Sequence, residues 1–220
     1  MVAPLRIVVW NANMAVHRKL DALASLRPDV AIIPECANSP ILTAKSKQGP
    51  LNMAWVGRNP NKSLAVMAFG DYSVELMAEY DDRLEWIAPT TISGPHAFML
   101  IGAWCMNHRA SQTHPWTPPT RQIEPALDLY QAPIRPDAVV VAGDLNDSVV
   151  WDKPRGKIKF ADTVMSVGGA GLVSAYHAER GVDFGEELER TLYWLTRSED
   201  GRKYHIDYCF IPQSWVSVLI

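Results

Sequence analysis

Short runs of consecutive apolar residues, each closing on a polar or turn-forming group, set the pattern of this chain. The first is Arg6–Trp10, a β-rich run followed by the polar turn Asn11–Ala12–Asn13. From His17 to Leu26 the apolar residues Leu20, Leu23, Ala24 and Leu26 fall at helical spacing. Arg27–Pro28–Asp29 ends that helix, because proline cannot continue it. Val30–Ile33 is a fully apolar strand that runs into Pro34–Glu35–Cys36. The order strand, helix, strand sets Asn11 and Glu35 at strand carboxyl ends, where functional groups gather in sheets with helical crossovers.

Between residues 53 and 106 the pattern changes. Met53–Val56, Ser63–Phe69, Ser73–Met77, Leu84–Pro89 and Phe98–Met106 are β-rich runs separated by turn signals such as Asn59–Pro60–Asn61, Gly70–Asp71 and Ser93–Gly94–Pro95. This spacing predicts antiparallel meanders. Asn107–Thr120 holds His108, Arg109, His114 and three prolines and reads as a long loop. Pro119–Gln131 reads as a helix. Ala138–Ala142 is an all-apolar strand ending in Gly143–Asp144–Leu145–Asn146–Asp147. Asp162–Val167 reads as a helix stopped by Gly168–Gly169, and Thr191–Leu195 and Tyr204–Ile211 as strands; Val216–Ile220 has the pattern of a strand or its approach. No repeat, low-complexity tract or linker interrupts the chain, so one domain over residues 1–220 is expected.

Composition narrows the class. Apolar residues make up 48% and charged residues 20% of the chain, which supports a sizeable core and argues against disorder. No stretch has the length of a membrane span and the N-terminus lacks a targeting pattern, so no membrane anchor and, by default, a cytoplasmic location are expected. Cys36, Cys105 and Cys209 are widely spaced with no CxxC pair, which argues for buried reduced thiols over a zinc ribbon. No HxH or HExxH spacing points to zinc; His17, His96, His114 and His177 read as structural or surface residues. The net charge of −3 lacks the basic excess of a protein that grips long duplex DNA by its phosphates, and favours a small or locally recognised phosphate ester.

The candidate chemistry stands in four polar clusters at the ends of apolar strands: Trp10–Asn11, Pro34–Glu35, Gly143–Asp144–Leu145–Asn146 and His205–Ile206–Asp207–Tyr208. Carboxylates and amides at such places are costly unless they meet something. A divalent cation is a natural partner: Mg2+ takes one or two carboxylates, keeps several waters and leaves room for a phosphate oxygen. An Asp and an Asn two residues apart on a turn can hold an attacking water and a phosphate oxygen together.

These clusters, in this order, resemble the endonuclease/exonuclease/phosphatase superfamily, through "VVWNAN", "RPDVAIIPEC", "SLAVMAFG", "VVVAGDLN" and "YHIDYCFIP" over residues 5–212. Each segment alone is a weak signal; their order and gaps together are specific. The resemblance implies an α+β fold, a four-layer α/β sandwich in which two mixed β-sheets pack face to face with helices on the outside. It implies an enzyme that hydrolyses phosphoesters, phosphodiesterase or nuclease-like, by in-line attack of water with Mg2+ or Mn2+ as cofactor. Glu35 would be the principal metal ligand. Asn11 would sit beside it, orienting the metal ligands and the nucleophile. Asp144 would align or deprotonate the attacking water, Asn146 would hydrogen-bond the scissile phosphate, and Asp207 would orient a catalytic histidine. The substrate would be a phosphoester, with nucleic acid, lipid head groups and small molecules all open.

The chain departs from the family pattern twice. The family's closing Ser-Asp-His segment has no counterpart after Asp207, so the resemblance predicts weak or absent catalysis in the chain as it stands. Its alternative reading is therefore a catalytically inactive member that binds a phosphate-bearing ligand or a protein partner. The strand Phe98–Met106 should supply a His or Tyr to the phosphate, yet Trp104 stands at that place; His108 is assigned the role instead, with Arg109 beside it. His205 shares a strand face with Asp207, because side chains alternate along Tyr204–Ile211. Trp194 would line the substrate cleft or pack in the core, and the run Lys153, Arg155, Lys157, Lys159 would steer an anion or form a solvated face. Plainer readings remain open at each cluster: turn residues at Asn11 and Asn13, an exposed acid at Glu35, an Asx turn at Asp144–Asn146, an ion pair of Asp207 with Arg202 or Lys203. A plain structural α/β domain would combine them all.

Overall fold

The structure, a computed structural model, describes residues 4–46, 51–105, 122–130, 139–156, 159–192 and 204–219. Strands β1 (Ile7–Val9), β2 (Val30–Cys36), β3 (Met53–Val56) and β4 (Ser63–Ala68) form a four-stranded sheet in the order β1-β2-β4-β3. Strands β5 (Ser73–Leu76), β6 (Ile87–Ser93), β7 (Phe98–Trp104), β8 (Val139–Asp144), β9 (Leu172–Ser174) and β10 (Asp207–Pro212) form a six-stranded sheet in the order β5-β6-β7-β8-β10-β9. Both sheets are mixed: β1 runs parallel to β2 and β7 parallel to β8, while the other pairs are antiparallel.

The unbroken apolar runs within β2, β4, β7 and β8 are explained by burial on both faces. Val30, Ile32, Leu64 and Val66 of one sheet meet Leu100, Val140 and Ala142 of the other in a core between the sheets. The alternate residues face outward. Ala31, Ile33, Ala65 and Met67 lie beneath Leu20 and Leu23 of α1 (Leu20–Ser25) and Leu42 of α2 (Ser39–Ser46). Met99, Ile101, Val139 and Val141 lie beneath Ile123, Ala126 and Leu127 of α3 (Ile123–Tyr130) and Phe160 and Val167 of α4 (Phe160–Gly169). The layers are therefore helix, sheet, sheet, helix, as the resemblance implies. No helix among the described residues is long and apolar enough to cross a membrane.

Several elements differ from the sequence expectation. The helix expected over His17–Leu26 is split into a 3₁₀ turn at Val16–Arg18 and α1, with Lys19 between them outside helical geometry at φ −125°. The segment after Cys36, to which the sequence pattern assigned no element, forms α2. β6 runs from Ile87 to Ser93, later than expected, with Pro89 inside it opposite Ile101. α4 passes through Gly168 and ends at Gly169. β9 and α5 (Ala175–Arg180) escaped the reading altogether. Gln213–Val218 is a 3₁₀ helix where the pattern suggested a strand.

Candidate active site

Asn11 and Glu35 come together because β1 and β2 are parallel, which sets their carboxyl ends side by side. The pairing continues to Trp10, whose N–H donates to the carbonyl of Ile32 at 3.0 Å. Strict alternation would turn Glu35 outward with Ile33. The register of β2 against β4 shifts between Ile33 and Cys36, and Glu35 takes the left-handed φ of 56°. Proline at 34 removes a ladder donor there, so the strand bulges and re-aims the carboxylate.

Asp144 is placed from the other sheet. It closes β8 on the inward face, opposite Trp104 of the parallel β7. Gly143 before it has its backbone so close to β7 that a Cβ would fall 1.8 Å from the carbonyl oxygen of Ala103. The chain then turns at Asn146, φ 48°, whose N–H donates to Asp144 Oδ1 at 3.1 Å. This is the Asx turn that the sequence left open. A turn alone does not account for Asn11, whose Nδ2 reaches across from the four-stranded sheet and donates to Asp144 Oδ2 at 3.1 Å. Asn11 is itself held by the N–H of Asn13, which donates to its Oδ1 at 3.0 Å.

Asp207 opens β10 directly opposite Asp144. Thr191 fixes the approach: its Oγ1 accepts the N–H of Ile206 at 3.0 Å and of Asp207 at 3.1 Å. Asp207 Oδ1 is buried and has no hydrogen-bond partner among the described residues. Burial raises the Asp144 carboxyl to about 6, the charge of Glu35 adds to this, and the hydrogen bonds from Asn11 and Asn146 oppose it. Burial, then the charge of Asp144, raises Asp207 to about 7, with Thr191 opposing.

Among the described residues the cation of this site is Lys62. It immediately precedes β4, and its Nζ lies 3.4 Å from Glu35 Oε1 and 5.4 Å from the ring centroid of Trp104. Trp104 is buried and edge-packed on Trp86, so it forms an uncharged wall beside Asp144. No three His, Cys, Asp or Glu side chains among the described residues converge into a ready metal cage. An ion of the Mg2+ kind needs no such cage, since one or two carboxylates and water complete its shell. The donor set fits it: Glu35 already draws a cation, and a buried oxygen of Asp207 stands unpartnered.

Of the residues singled out from sequence, Asn11, Glu35, Asp144, Asn146 and Asp207 gather at one end of the sandwich, between the sheets. His108, Arg109, Trp194, Arg202 and Lys203 lie outside the described residues. His205 does not share the face of Asp207. β10 begins only at Asp207, so the alternation does not reach back, and the His205 ring packs on Tyr176 at 4.5 Å and Tyr208 at 5.1 Å. Sequence reasoning missed Lys62 and Thr191. For Lys62 the available signal was a lysine set directly before a largely apolar strand; Thr191 carried none, because its partners are backbone groups.

No family model and no curated protein matches the chain. Solved structures do. An AP endonuclease from Archaeoglobus fulgidus superposes with a TM-score of 0.63 at 13% identity, over 96% of this chain and 87% of its own. TDP2 from D. rerio, solved in complex with a single-strand DNA product, gives 0.54 at 13% identity over 96% and 85%. An endonuclease/exonuclease/phosphatase from Beutenbergia cavernae DSM 12333 gives 0.57 at 14% identity over 95% and 64%. The chain therefore has the fold of the endonuclease/exonuclease/phosphatase superfamily.

Proposed function

We propose that the chain is a divalent-metal-dependent phosphoesterase, and that the cleft between the carboxyl ends of β1, β2 and β8 is where a phosphoester is hydrolysed by water. The observation that carries this reading is the Asn11–Asp144 hydrogen bond of 3.1 Å between the two sheets, beside Glu35 and Asp207. A structural turn has no use for an amide brought from the opposite sheet. A catalytic carboxylate has: Asn11 takes one oxygen and the Asn146 N–H the other, so the group is fixed before substrate arrives.

Bound at Glu35 with Asn11 nearby, Mg2+ or Mn2+ would polarise the phosphoryl group and stabilise the leaving oxygen. The rest falls to the protein. Asp144, deprotonated, orients the water and accepts its proton as the water oxygen bonds to phosphorus. The bond to the leaving oxygen breaks in line and that oxygen is protonated from solvent. The Asn146 amide donates to a phosphate oxygen, and Asp207, set opposite Asp144 by the register of β8 and β10, keeps the role of orienting a catalytic histidine that the resemblance gives it. His108 joins the reading as the phosphate contact assigned from sequence. The D. rerio TDP2 complex with DNA supports nucleic acid as one substrate class, while the net charge of −3 supports short or locally recognised esters over long duplexes.

The test is hydrolysis of a chromogenic phosphodiester and of short single-stranded DNA with Mg2+ or Mn2+. The expected result is weak, metal-dependent turnover that Asp144→Ala lowers by roughly 10²- to 10⁴-fold. Turnover that persists in chelator, or that Asp144→Ala leaves intact, would defeat the reading.

A further inference from the structure

Lys62 stands at the carboxylate that the metal would need. Ser63 pairs with Cys36 across the antiparallel β4 and β2, so Lys62 enters β4 next to the bulge that carries Glu35, and its long side chain reaches back to that carboxylate. Two attractions hold its ammonium: the Glu35 carboxylate at 3.4 Å and the face of the Trp104 ring at 5.4 Å. The side chains are 36% and 17% exposed for Lys62 and Glu35, so water screens the pair only in part. Glu35 also takes the left-handed φ of 56°, a strained backbone for a residue with a Cβ, which fixes where its side chain leaves the strand.

Resting on the metal-dependent reading above, we propose that Lys62 is a resident competitor of the divalent cation for Glu35. Its ammonium holds the carboxylate in place while the metal is away, and gives up that contact when the ion takes it. The Trp104 face keeps its own hold on the ammonium, which does not depend on Glu35. The site is thus kept preformed, and the affinity for the ion is lowered by the strength of the pair. Partly exposed pairs are modest, so removing the ammonium should tighten metal binding roughly three- to tenfold.

The experiment is titration of the full chain with Mn2+, followed by the electron paramagnetic resonance of free Mn2+. Lys62→Met keeps an apolar stem against Trp104 and removes the charge; Lys62→Arg keeps the charge. Lys62→Met is expected to bind Mn2+ about three- to tenfold more tightly than the natural chain, with Lys62→Arg close to the natural value. Thermal unfolding without metal checks that each variant is folded. Equal or weaker binding by folded Lys62→Met overturns the proposal and leaves the metal site standing. Failure of the natural chain to bind Mn2+, or undiminished binding by Glu35→Gln, removes the metal reading itself and the proposal with it.

Discussion

Asp144 answers to three neighbours and acts on a fourth: Asn11 and the Asn146 N–H hold its oxygens, Glu35 presses its charge on it, and its own charge raises Asp207. Both buried carboxyls sit above the ordinary range near 4, Asp144 at about 6 and Asp207 at about 7. The folded chain therefore holds protons that the unfolded chain has released. Their contribution to stability is complete below about pH 4 and is lost as pH rises through the folded values of about 6 and about 7. The metal-free protein is expected to melt several degrees lower at pH 8 than at pH 5.5, and Asp207→Asn to flatten that dependence. Scanning calorimetry across this range checks it; an unaltered profile in Asp207→Asn would assign the effect elsewhere. Gly143 is constrained more rigidly still. With the Ala103 carbonyl 1.8 Å from the place of a Cβ, Gly143→Ala must push β8 away from β7. A loss of more than about 3 kcal/mol in urea unfolding is expected, the range of severe core disruption.

At the scale of elements, Thr191 couples a connecting segment to β10. The residues before it are pinned by α5: His177 bonds Ser174 at 2.7 Å and Glu187 at 3.2 Å, and the Tyr176 hydroxyl donates to Glu189. Burial lowers the His177 pKa, against the pull of Glu187, so the imidazole serves as a neutral bridge near pH 7. Thr191→Val leaves the N–H groups of Ile206 and Asp207 without their acceptor. A cost of roughly 1–3 kcal/mol is expected, with turnover falling more than the stability loss alone accounts for, because Asp207 loses its placement. Comparing kcat with the urea midpoint separates the two. α4 owes its start to Asp152, whose carboxylate accepts the N–H of Phe160 at 2.7 Å and of Ala161 at 3.0 Å. The strands were legible where burial on both faces wrote an unbroken apolar run, as in β2, β4, β7 and β8. α2, β9 and α5 were not, being short elements without a strong apolar period, whose contacts with neighbours stabilise them.

For the whole molecule, the site exists only while the two sheets keep their mutual position, since Asn11 and Glu35 ride on one and Asp144 and Asp207 on the other. Leu100 fills the core between the sheets, whereas Leu127 of α3 fills the outer core. Each truncation to alanine is expected to cost roughly 2–5 kcal/mol, but only Leu100→Ala should lower turnover at temperatures where both variants are folded. Equal losses of turnover would mean that the sheet interface does not position the site. Asn11, Glu35, Asp144, Asn146 and Asp207 were legible in the sequence as candidates, because a polar group closing an apolar strand is costly and so marks itself; Lys62 and Thr191 were not. That the strands form two sheets followed from the family resemblance, and residue patterning alone could not distinguish which strands lie in which sheet. Tertiary structure decided what depends on distance between remote segments. It brought Asn11 to Asp144 across 133 positions of chain. It turned His205 into an aromatic cluster and away from Asp207, and it set the ammonium of Lys62 on Glu35. The apolar pattern fixes which face of a strand is buried; which charged group then meets which depends on register and bulges, and these are set by pairing between strands far apart in the chain.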